Sequence, residues 1–121
     1  MPSQAAMKAT LQSYLDYFNE GDAEKLTSLF AADATVEDPV GSPPHKGTEA
    51  IRAFYVDAMK NGAKLSLSAP VRGSHSNAAA MAFEAKIGTL TVRIVDVMTF
   101  NEDGKVATMQ AYFGPEDFIQ G

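Results

Sequence analysis

Residues 93–100 read R-I-V-D-V-M-T-F, a β-strand with one residue out of place. Alternation sets Ile94, Asp96, Met98 and Phe100 on one face, and backward extension adds Leu90 and Val92. Thr91, Arg93, Val95, Val97 and Thr99 fall on the other. The carboxyl group of Asp96 therefore projects from the more apolar side. An ionised carboxylate is costly to remove from water, and the usual escape is to keep the proton. A mid-strand position offers it no capping duty, so Asp96 is a functional candidate.

Outward from this strand, the pattern predicts an α+β chain. Towards the C-terminus, N-E-D-G at 101–104 makes a turn into a last strand over about 105–113. Before it, Ala79, Met81, Phe83, Ala85 and Ile87 alternate with polar or small residues, as do Leu65, Leu67 and Ala69. The first half is helical in period. Met7, Leu11, Tyr14, Leu15 and Phe18 line one face of a helix stopped at Gly21. Asp22 caps a second, short helix whose buried side is Leu26, Leu29 and Phe30. T-V-E-D-P at 35–39 reads as a short strand ended by Pro39, and 41–47 as a loop. Thr48 is expected to cap a third helix with Ile51, Phe54, Tyr55, Ala58 and Met59 inward and Gly62 as its stop. Three N-terminal helices packed against a curved, mostly antiparallel sheet are expected, in a single domain over residues 1–121.

Bulk properties narrow the function. The chain of 121 residues has 45% hydrophobic and 21% charged residues, ordinary for a globular protein. It has no cysteine, which excludes disulfides, thiolate metal sites and a cysteine nucleophile. Ten Lys and Arg face fifteen Asp and Glu, for a net charge of −5, without a basic cluster. Nucleic acid is accordingly not an expected partner, and a neutral apolar small molecule is compatible. No run is long enough for a membrane span and no secretory leader is recognisable, so a cytoplasmic location is expected.

Two further residues share the predicament of Asp96. Asp38 lies on the face of Val36 just before Pro39, and is read either as a functional carboxyl or as a residue tying down the turn. Tyr14 sits within an apolar helical stripe, where its hydroxyl needs an internal partner; a bond to a backbone carbonyl would meet that need as well as a catalytic role. His45 and His75 fall in polar loops, suited to the surface rather than to a metal. Nucleophile elbow, phosphate loop and dinucleotide fingerprint are all missing.

L-F-A-A-D-A-T-V-E-D-P-V-G-S-P-P at 29–44, G-T-E-A-I-R-A-F-Y at 47–55, V-D-V-M-T-F with its N-E-D-G-K-V turn, and A-Y-F-G at 111–114 together resemble the bacterial Δ5-3-ketosteroid isomerases. The resemblance spans nearly the whole chain without insertions. It implies the conical fold shared with nuclear transport factor two, a deep apolar pocket, a homodimer formed through the sheet, and a steroid substrate isomerised without metal or organic cofactor. Asp38 matches the family's general base, Tyr14 and Asp96 its oxyanion hole, and Tyr55 the residue that supports the tyrosine hydroxyl. Alternation and the resemblance together suggest a pocket wall of Phe54, Met81, Phe83, Met98, Met109 and Phe113, with Val36, Val40 and Val95 as weaker members. Phe30 stands where some members carry a tyrosine, and Met98 where others carry an aromatic residue. A polyketide cyclase-like enzyme and a non-catalytic steroid- or lipid-binding module on the same fold are the alternatives. A dehydratase or epoxide hydrolase would instead place a histidine or an Asp-Arg-Asp set in the pocket, so the orientation of Arg93 discriminates.

Overall fold

The computed structural model describes residues 2–121. Its first helix, α1 (Gln4–Glu20), buries Met7, Leu11, Tyr14, Leu15 and Phe18 along one stripe. Ser3 caps its start by accepting the Ala6 N–H at 3.0 Å, and Gly21 closes it at φ +72° while donating to Phe18 O. Asp22 then caps α2 (Ala23–Thr27) by accepting the Lys25 N–H at 3.0 Å.

Here the expected helix is too long. Leu29 and Phe30 lie outside α2, and Phe30 opens β1 (Phe30–Glu37). Periodicity could not separate a helical turn from a strand start in so short an apolar run. Distant partners decide it: Val106 N–H donates to Leu29 O at 2.9 Å, and Phe30 pairs with Val106. The strand also stops at Glu37, leaving Asp38 just beyond its end. A second correction concerns α3 (Thr48–Met59), which follows the short strand β2 (His45–Lys46). Gly47, at φ +87°, occupies the cap position without a side-chain bond, and Thr48 is already helical. The Gly47 N–H instead donates to Ala34 O at 2.9 Å, pinning the helix start to β1.

The remaining strands are β3 (Lys64–Leu67), β4 (Ala78–Ile87), β5 (Leu90–Phe100), β6 (Val106–Tyr112) and β7 (Phe118–Gln120). The sheet order is β2-β1-β6-β5-β4-β3, and β7 pairs with β5. Every pairing is antiparallel except β1 with β6, so the sheet is mixed. The long strand β5 divides its partners: Leu90–Val92 pairs with β7, and Val95–Phe100 with β6. Three residues are too few for alternation to reveal, which is why β7 has no trace in the sequence reading. α1 packs on β3 and β4, and α3 on β1, so the helices cover one face of the curved sheet. The buried apolar side chains between them form one contiguous core.

The edge strand β3 is held from the helical layer. Asn19 donates through Nδ2 to Leu65 O at 2.8 Å and accepts the Leu65 N–H on Oδ1 at 2.7 Å, as a neighbouring strand would. Asn19→Ala removes both bonds and should lower stability by about 2 kcal/mol. The expected readout is a lower urea midpoint at unchanged denaturant slope.

Candidate active site

The register places one carboxyl group in the middle of the covered face. Met81 of β4, Asp96 of β5 and Ala111 of β6 stand side by side, followed by Met98 opposite Met109. Asp96 is 1% exposed, and neither of its carboxyl oxygens has a hydrogen-bond partner among the described residues. Burial pushes this carboxyl well above the usual range, and the negative charge of Asp38 pushes it further.

Tyr14 reaches the same interior from α1. Its hydroxyl lies 3.0 Å from that of Tyr55 on α3, with the rings edge to face at 5.7 Å. Both phenols are pushed upward, chiefly by burial. For Tyr14 the charges of Tyr55, Asp96 and Asp38 add to the shift. For Tyr55 the charge of Asp38 adds, while the bond with Tyr14 acts in the opposite sense. Phe30 stacks at 6.0 Å from Tyr55 and offers no hydroxyl, so the pair is not extended on that side.

Asp38 occupies a different setting. It follows β1 at a cis peptide bond to Pro39, is half-buried, and lines a cavity of about 240 Å³. Partial burial pushes its carboxyl up to about 6. α3 contributes Phe54, Tyr55 and Ala58 to the wall, β5 contributes Val92 and Ile94, and Phe113 and Phe118 stand edge to face at 5.8 Å on the other side. The walls are overwhelmingly apolar, as suits an apolar ligand. Asn61 is a polar exception beyond the end of α3.

The structure thus brings Asp38, Tyr55, Phe54 and Phe113 onto one cavity, with Tyr14 and Asp96 buried within electrostatic reach of Asp38. Tyr14 and Asp96, like Met81, Phe83, Met98 and Met109 of the expected wall, are at most 3% exposed and lie behind the surface that borders this cavity. The four wall residues belong to the buried core, where Met98 stands opposite Met109, Met81 opposite Asp96 and Phe83 opposite Ile94. Val36 is likewise core, while Val40 and Val95 are exposed and line a groove outside the cavity. Ten residues outside the expected set also border the cavity, among them Phe18, Ala58, Asn61 and Phe118. Ala58 follows Phe54 by one helical turn, a spacing that could have marked it; Asn61 and Phe118 lie in segments without period. Arg93 is exposed and paired across strands with Glu84, and so points away from Asp96. His45 stacks on Phe54 at 4.5 Å without bordering the cavity. No three His, Asp or Glu side chains among the described residues converge on a potential metal position.

A small α+β cone with carboxyl and phenol groups at its centre is a recognisable class, and comparison specifies it. The profile of the SnoaL-like domain matches residues 11–109, and the chain belongs to that family, within the nuclear transport factor two-like superfamily. A steroid Delta-isomerase of Nocardioides simplex is 35% identical over 119 residues, covering 95% of each chain. The epoxide hydrolase LasB of Streptomyces lasalocidi is 24% identical over 125 residues, covering 97% of this chain and 44% of that one. The structure of SalBIII, an epoxide hydrolase/cyclase-like enzyme in pyran ring formation in polyether salinomycin, superposes with a TM-score of 0.91 at 24% identity and full coverage of both chains. That last likeness concerns the fold. The relatives named by sequence are enzymes.

The raised carboxyl of Asp38 has a consequence for stability. An unfolded aspartate titrates near ~4, so between about pH 4 and 6 the folded state binds more protons than the unfolded one. Stability contributed by the protonated form is complete below about 4 and lost as the pH rises through about 6. Asp38→Asn removes this titration. The variant should melt at a higher temperature than wild type at pH 8, with the gap closing at pH 4.

Proposed function

We propose that the protein is a steroid Δ-isomerase that converts Δ5-3-ketosteroids to conjugated Δ4-3-ketosteroids. The observation that carries this reading is the pairing of an unbonded, fully buried Asp96 with a cavity-facing Asp38 of contrasting environment. The likeness to a steroid Delta-isomerase over nearly the whole chain supports it.

Asp38, ionised above about pH 6, takes the proton from C4. The electron pair of the C4–H bond becomes the new C3–C4 double bond, and the carbonyl electrons move onto O3. Tyr14 and the neutral carboxyl of Asp96 donate hydrogen bonds to that oxygen, whose charge develops as the transition state forms. An ionised Asp96 would repel it. Tyr55 holds the Tyr14 hydroxyl from behind. The dienolate then collapses to the conjugated enone by taking the same proton from Asp38 at C6. Atoms and electrons balance without any external reagent.

A second reading has the likeness to LasB behind it: the same acid and base could open an epoxide. The outward Arg93 and the position of His45 outside the cavity lining weigh against the residue sets expected for that chemistry. A binding module without turnover gives no reason for a buried, unbonded carboxyl.

Absorbance of the conjugated enone, followed with a Δ5-3-ketosteroid, tests the assignment. Asp38→Asn should lower kcat on the order of 10⁴-fold and Asp96→Ala roughly 10²-fold, since Tyr14 still donates in the latter. In wild type, kcat/KM should rise with pH through a limb near about 6. Binding without conversion would favour the module; negligible effects of both substitutions would overturn the roles.

The outer face of the sheet supports a homodimer. Val95 and Tyr112, paired across β5 and β6, are exposed together with Val40 beside a groove of about 710 Å³. Val95→Asp should shift sedimentation from dimer to monomer.

A further inference from the structure

We infer that Asn61 is a specificity-determining residue that selects ligands carrying a hydrogen-bond acceptor at the end remote from the reacting ketone. This rests on the steroid reading above and adds the chemical class of the ligand's far end.

The cavity has polar side chains at two separate places. Asp38 and Tyr55 serve the chemistry, and Asn61 lies beyond the C-terminal end of α3. Tyr55 to Met59 spans about 6 Å of helix, after which the chain turns through Asn61 and Gly62. Between these places the wall is apolar: Ala58, Ala63, Leu65, Ala85 and Ile87 border the intervening cavity. A rigid polycyclic ligand with its ketone directed inward would run along that wall and present its other end to Asn61.

The amide of Asn61 has a definite orientation. Its Oδ1 accepts the Ala63 N–H at 3.0 Å, which only the oxygen can do. The Nδ2 group is thereby set on the opposite branch; Asn61 is exposed, and its Nδ2 protons make no hydrogen bond to another described residue. An amide donor at the rim of an apolar cavity recognises an acceptor, a carbonyl or hydroxyl oxygen. An alkyl end would leave it to water. Because the contact lies away from the reacting carbons, it would act on ligand affinity and KM rather than on the barrier of proton transfer.

The test is the ratio of affinities for two 4-ene-3-ketosteroids that differ only in bearing or lacking a 17-keto group, measured by calorimetry on wild type, Asn61→Ala and Asn61→Asp. Asn61→Asp keeps an oxygen for the Ala63 N–H and removes the donor, so the turn stays supported. Wild type should prefer the keto ligand by roughly two- to tenfold, the range of one neutral hydrogen bond, and both variants should bring the ratio close to one. A damaged turn would weaken both ligands alike and leave the ratio standing. Equal binding of the two ligands by wild type, or a preference retained in Asn61→Asp, would overturn the inference. Enone formation by wild type is read separately, so failure of the isomerase reading would show as binding and preference without turnover.

Discussion

The organising constraint is a buried carboxyl group without a hydrogen-bond partner among the described residues. Asp96 stands between Met81 and Ala111 with both oxygens unbonded among the described residues. Leaving such a group buried and unsatisfied costs on the order of 1–3 kcal/mol, and far more if it ionises. The neighbourhood explains how it persists. Long strands on both sides hold the backbone, and the small side chain of Ala111 leaves volume beside it without supplying a polar partner. These surroundings favour the protonated form of the carboxyl.

The second carboxyl strengthens the first. Asp38 sits at the cavity, where partial burial brings its titration to about 6, within reach of neutral conditions. Once ionised, it disfavours a second negative charge on Asp96. Burial and mutual repulsion thus set the two carboxyl groups apart, Asp96 well above the usual carboxylate range and Asp38 at about 6. The phenol pair follows the same logic. Tyr14 and Tyr55 hydrogen-bond each other in a region where burial and negative charge both oppose phenolate, so they remain donors.

Much of this was legible in the sequence because its signals are local. Alternation in 90–100 set Asp96 on the covered face, and the helical stripe of 4–20 did the same for Tyr14. Where competition between distant partners decides, local pattern failed. Phe30 joined a strand because Val106 was available to pair with it, and β7 exists because the start of β5 had a free edge. The cavity lining is the part least encoded in local pattern. Alternation tells which side of the sheet a methionine faces, but whether it borders a void or packs against its neighbours depends on side-chain interdigitation across three strands.

The divided pairing of β5 separates two jobs along one strand. Its rear half, joined to β6, carries Asp96; its front end, joined to β7, carries Val92 on the cavity wall beside Phe118, with Ile94 between the two ladders. Residues 118–120 pair with β5 at Leu90–Val92 only and make no ladder contact beside the buried acid. One strand thus carries the buried acid on one stretch and part of the cavity wall on another, so the two are held by different neighbours.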